Sequence, residues 1–152
     1  MLDEKGVHIR LYSGSLNGLT APVANYVPLI VADISLESGA TTLLELPAAY
    51  NTFVYILEGA VTAGTNEQSL KKEQMGWLDL FDTAGQSTLK IAAKEGKARL
   101  VLYAGAPLKE TIVVHGPFVA DSADVIPGLY HRYRLGQLPH IATVPEAQRI
   151  LL

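Results

Sequence analysis

Apolar and polar residues alternate with a period of two along most of this chain, and turn residues interrupt the pattern every 8 to 12 positions. Val7, Ile9 and Leu11 alternate with His8, Arg10 and Tyr12, which predicts a half-buried strand with His8 on its wet face. Positions 27–36 form an apolar run rich in β-branched residues, closed by Glu37-Ser38-Gly39. Further strands are predicted at 41–46, stopped by Pro47, and at 52–57, where Thr-Phe-Val-Tyr-Ile-Leu is strongly β-prone. Glu58-Gly59 turns the chain into 60–63, and strands follow at 76–81, 87–92, 98–103 and 111–114. This spacing of strands and turns is that of a β-sandwich or barrel.

Only the C-terminal part changes period. Asp121-Ser122 offers an N-cap oxygen, and Leu129, Tyr130, Tyr133 and Leu135 make a partial apolar stripe. One short helix is predicted within 122–137, beginning at Pro127, where proline fits the first helical position. Gly136 then serves as the left-handed stop. His131, Arg132 and Arg134 fall near its C-terminus, where cations are favoured. With no repeat, linker or low-complexity segment, residues 1–152 read as a single domain.

Composition narrows the function. Net charge is −3, and no basic stripe appears, so nucleic-acid binding has no electrostatic footprint. There is no cysteine, which removes disulfides, thiol nucleophiles and thiolate metal ligands and fits a cytoplasmic location. The acidic, polar start lacks the features of a signal peptide. The apolar stretch 100–108 is too short to span a membrane. At 49% hydrophobic and 18% charged, the chain is charge-poor, which suggests that part of its surface is covered by a partner.

Two groups of residues carry a family resemblance. Gly39, then Phe53-Val54-Tyr55-Ile56-Leu57-Glu58-Gly59, then Gly76 opening a further strand resembles the cupin barrel. Gly105-Ala106-Pro107-Leu108-Lys109-Glu110, His115-Gly116-Pro117-Phe118-Val119, Asp121-Ser122 and Tyr133-Arg134-Leu135-Gly136 are similar to the C-terminal domain of the pirin family. Thr111, Ala120-Asp121 and Pro127-Gly128 depart from that pattern. The resemblance implies an all-β, cupin-type double-stranded β-helix, a jelly-roll barrel with a short C-terminal helix. Pirins pair two such barrels. Their single iron site lies in the N-terminal one, and some members act as quercetin dioxygenases. The resemblance therefore implies a solitary C-terminal-type barrel without the catalytic half.

The residues agree with that implication. Counted from Gly59 and Gly76, the metal-ligand slots of a cupin fall at Glu45, Pro47, Thr52 and Ser87, and none is a histidine. Four histidines are scattered: His8 on a wet strand face, His115 before Gly-Pro-Phe in a packing or hydrogen-bonding role, His131 near the helix end, and His140 after Pro139. Asp79 and Asp82 would point to opposite faces of one strand, which rules against acid–base pairing. Gly14-Ser15-Leu16-Asn17-Gly18 reads as a surface loop, since it lacks the lysine and helix of a phosphate-binding loop. No catalytic, cofactor-binding or metal residue is therefore assigned, and no flavonol turnover is expected.

The reading is a non-catalytic module that forms a homodimer or joins a separate pirin N-terminal-like partner. Its apolar tail, 141–152, is expected to pack on the barrel or across that interface. The alternatives are a barrel holding a small apolar ligand in a mouth lined by Thr42, Leu44, Val54 and Ser87, or a metal-dependent oxygenase. Phe118 is predicted to be buried against the barrel, so that truncation to alanine costs about 3 kcal/mol or more.

Overall fold

The computed structural model describes residues 2–81 and 84–139. The chain groups into two compact units, one ending at Pro107 and the other beginning at Leu108.

The first unit is built from strands, as the period-two pattern predicts. β1 (Leu2–Glu4), β2 (Val7–Ser13), a small hairpin of β3 (Ser15–Leu16) and β4 (Leu19–Thr20), β5 (Leu29–Leu36), β6 (Thr41–Pro47) and β7 (Asn51–Glu58) come first. β8 (Ala60–Ala63), β9 (Gln68–Lys71), β10 (Met75–Trp77), β11 (Gln86–Ala92) and β12 (Ala98–Gly105) follow. Six of these make one antiparallel sheet in the order β1-β2-β5-β12-β7-β10, and a four-stranded sheet runs β6-β11-β8-β9. Asparagine and glycine shape the small hairpin: Asn17 and Gly18 have φ of 47° and 78°, the paired positive angles of a type I′ turn.

Inward side chains of the two sheets share one core. Ile34, Leu100 and Ile56 lie side by side across β5, β12 and β7, followed by Ala32, Leu102 and Val54 and then by Ile30, Ala104 and Thr52. The smaller sheet faces them with Leu44 opposite Leu89 and Leu46 opposite Ser87. Burying aliphatic side chains of this size contributes roughly 1.5–3 kcal/mol each, so this layered interior holds the barrel together.

Several boundaries differ from the sequence expectation for identifiable reasons. β5 starts at Leu29 because Pro28 has no N–H for a ladder. The expected strand 76–81 is only Met75–Trp77. Beyond it, the Leu78 and Phe81 amides donate to Thr52 and Ala48 carbonyls outside any ladder. β9 is a polar edge strand with one buried residue, Leu70, so it carries little apolar signal.

In the second unit, β13 (Val113–His115) pairs with β14 (Phe118–Ala120), and α1 spans Val125–Arg134. The helix begins two residues before Pro127. Proline is tolerated at this third position because the first four N–H groups of a helix have no intrahelical partner. Asp124 occupies the N-cap without a side-chain bond. The expected capping oxygen, that of Ser122, instead accepts from the Asp124 amide at 3.3 Å. At the other end, Gly136 N–H donates to Tyr133 and Gln137 N–H to Arg132, the paired bonds of a Schellman motif.

The Gly-Pro-Phe run has a direct physical account. Gly116 turns the β13–β14 hairpin at φ 55°, and a Cβ there would sit 2.3 Å from the Tyr130 hydroxyl. That hydroxyl lies 3.2 Å from His115 Nδ1. Phe118 meets Tyr130 edge-on with ring centroids 4.8 Å apart and reaches Tyr133 at 6.1 Å. Phe118 is half-buried and its ring partners belong to its own unit. The expected burial of Phe118 is therefore only partial. The tail 141–152 and His140 lie outside the described residues.

Candidate functional site

The cupin ligand slots lie at one end of the barrel, where β6 and β11 run together. Strand alternation decides which side chains enter it. Leu44 and Leu46 are 0% and 1% exposed and point inward, whereas Glu45 is exposed on the outer side. The histidine slots placed at Glu45 and Pro47 are thus one residue out of phase with the interior, and the inward residues are leucines. Thr52 and Ser87 do face inward, but the Thr52 hydroxyl donates to the Tyr50 carbonyl at 3.3 Å and the Ser87 hydroxyl to the Leu46 carbonyl at 3.5 Å. Two leucines and two hydroxyls bonded to main chain do not fit an iron centre, which prefers imidazole and carboxylate. Among the described residues no three histidine, aspartate or glutamate side chains converge as a metal site.

The expected apolar mouth is also absent in that form. Leu44 and Val54 are packed in the core. A cavity of about 610 Å³ exists at this end, but its wall is different: the β3–β4 hairpin, Asn25 to Pro28, Glu45, Tyr50 and Gln86. Asparagines build that wall. Asn17 Nδ2 donates to the Leu43 carbonyl at 2.7 Å and its Oδ1 accepts from the Glu45 amide at 3.1 Å, so one side chain pairs with the free edge of β6. Asn25 accepts from the buried Ser13 hydroxyl at 2.8 Å and donates to the Leu29 carbonyl at 3.2 Å.

A third feature was not anticipated from sequence. The outer face of the six-stranded sheet carries ordered rows. Val31, Tyr103, Phe53 and Trp77 follow one another across β5, β12, β7 and β10. Phe53 stacks on Tyr103 at 5.1 Å and tilts against Trp77 at 4.9 Å. Val101, Tyr55 and Met75 make the next row. That row continues through Asp33 to Arg10, and these two with His8, Ser35 and Arg99 line a polar depression. Arg99 holds Asp33 through two guanidinium nitrogens, Nε at 3.0 Å and Nη2 at 2.6 Å. These hydrogen bonds raise the guanidinium further above its ordinary value. His8 is half-buried here, less exposed than the wet strand face implied.

The remaining sequence candidates scatter. His115 is exposed and bonded to Tyr130, in keeping with a hydrogen-bonding role. His131 is in the last helical turn beside Arg132 and Arg134. Asp82 lies outside the described residues, so its relation to Asp79 is not described. No described helix is long and apolar enough to cross a membrane.

Known proteins with similar sequences and folds agree with this architecture. Residues 31–139 match the family profile of the pirin C-terminal cupin domain. Pirin of Rattus norvegicus is 30% identical over 122 residues, covering 80% of this chain and 41% of its own length. A pirin-like protein of Solanum lycopersicum is 28% identical over 135 residues, covering 89% and 45%. Among solved structures, quercetin 2,3-dioxygenase from Acinetobacter baumannii superposes with TM-score 0.78 at 28% identity, over 93% of this chain and 47% of that one. A Geobacillus kaustophilus protein gives TM-score 0.69 at 37% identity, over 72% and 43%. The chain spans less than half the length of these relatives. The all-β cupin fold and the match across more than half of its residues place this chain in the pirin family, in the region of the C-terminal cupin domain.

Proposed function

We propose that this chain is a metal-free, non-catalytic cupin module that acts in assembly or binding, by self-association or by pairing with a pirin N-terminal-like barrel. The observation that carries this reading is the interior of the cupin slots. Leu44 and Leu46 fill the positions from which paired ligands would project, and Glu45 faces outward. A catalytic metal needs about three protein ligands and an open position, and the inward Thr52 and Ser87 hydroxyls are committed to main-chain carbonyls.

Because a similar solved structure is named a quercetin 2,3-dioxygenase, flavonol turnover is the activity to measure. Protein purified without an affinity tag is expected to hold far less than one metal per chain and to leave quercetin unchanged. Stoichiometric iron, or turnover abolished by a chelator, would overturn the reading. A second reading, a small-molecule-binding barrel, is favoured by the cavity of about 610 Å³ beside the β3–β4 hairpin, which falls in the usual size range of ligand pockets. A ligand retained through native mass spectrometry and lost on Tyr50→Ala would support it.

A further inference from the structure

We infer that the outer face of the six-stranded sheet is the surface on which two copies of this chain associate, face to face, with Phe53, Trp77 and Tyr103 at the centre of contact. This rests on the assembly reading above and names the surface it would use.

An antiparallel sheet with one wet face alternates apolar and polar residues. Strand β7 does not: its inward Val54 and Ile56 are buried, yet its outward residues are Phe53, Tyr55 and Leu57. Across the neighbouring strands, Trp77 is 66% exposed, Met75 47% and Tyr103 39%. Aromatic residues, methionine and arginine are the types enriched where proteins meet, and this face presents them together, with Arg10 and Arg99 at its polar side.

The row of Val31, Tyr103, Phe53 and Trp77 is self-complementary. A two-fold axis in the plane of contact, running along the strands between β12 and β7, lays the row Val31–Tyr103–Phe53–Trp77 on its own reverse. Trp77 then meets the small Val31 of the second copy, and Tyr103 meets Phe53. Large against small is how facing layers interdigitate. The same operation sets Arg99 against the second copy's Glu58, since these two are neighbours across β12 and β7. Two sheets packed in this way sit about 10 Å apart.

An exposed apolar patch of this kind presents roughly 300–600 Å², so two of them remove roughly 600–1,200 Å² from water, a range that spans the lower bound of about 1,000 Å² for a specific interface.

Trp77 is the chain's only tryptophan, so its emission reports directly on the contact. Sedimentation equilibrium of the full chain across micromolar concentrations is expected to show a dimer, with Trp77 emission moving to the blue as the dimer forms. Trp77→Glu and Met75→Glu, both on exposed positions, are expected to weaken dimerisation at least about tenfold, the scale of a central interface residue. Met75→Glu retains the fluorescent reporter, and circular dichroism checks that each variant is folded. Leu43→Glu, exposed on the other sheet, is expected to leave the dimer unchanged. A monomer throughout, a dimer indifferent to both substitutions, or a monomer that binds only a different barrel through this face would overturn the inference. A metal-free, inactive monomer would do so while leaving the non-catalytic reading intact.

Discussion

Replacing Gly116 by alanine isolates the device that organises the second unit. Gly116 has φ 55°, and the added Cβ would lie 2.3 Å from Tyr130 Oη and 3.6 Å from Cζ. Two costs follow. A non-glycine residue in the left-handed region costs about 1–2 kcal/mol. The overlap also forces the hydroxyl away from His115 and loosens the edge contact with Phe118. A lost hydrogen bond of this kind is worth about 0.5–1.5 kcal/mol, and the aromatic pair a similar amount. Gly116→Ala is therefore expected to destabilise the unit by roughly 2–5 kcal/mol. Tyr130→Phe alone should cost about 0.5–1.5 kcal/mol. Combined, the two substitutions should cost about 1 kcal/mol less than their sum, because the phenylalanine no longer collides with the new methyl. Amide hydrogen exchange at 113–120 and 125–134 reads these effects locally, which matters because a separate compact unit can open on its own. Strict additivity of the two substitutions would refute the steric account, and a neutral Gly116→Ala would refute the conformational one as well.

Three further outcomes are expected. Phe118→Ala should cost about 1–3 kcal/mol, below the value for a fully buried ring, and should strip exchange protection from the helix while leaving the β5 and β12 amides protected. Asn17→Ala should cost about 1–2 kcal/mol, from two hydrogen bonds to the edge of β6, with faster exchange at the Glu45 amide as its local sign. The Glu67 carboxyl is held below its ordinary value by its hydrogen bond and attraction to Lys94, helped by Lys90. Its contribution is thus present above the unfolded carboxylate value and disappears as pH falls through the folded one. Stability curves of parent and Glu67→Gln should therefore converge in acid, and a constant offset across pH would contradict this.

Sequence alone determined the elements whose period is strong. Val7, Ile9 and Leu11 alternate, and they form an inward strand. Thr-Phe-Val-Tyr-Ile-Leu forms β7, and Gly136 stops the helix. Residues 14–18 read as a surface loop but form the β3–β4 hairpin, and the signal passed over was the turn chemistry of Asn17-Gly18. Local pattern could not fix phase. Whether Glu45 or Leu46 enters the barrel depends on a one-residue register, and a slip of one reverses every side chain. Nor could it find β9 or β14, since these short hairpin arms are held by pairing with β8 and β13 rather than by their own apolar content. The aromatic row on the outer sheet face is a tertiary fact of the same kind. Val31, Phe53, Trp77 and Tyr103 are far apart along the chain, and only the pairing of β5, β12, β7 and β10 sets them side by side. Hydrophobic periodicity records how each strand is buried, whereas strand order, which creates the surface, is decided by long-range pairing that no local window contains.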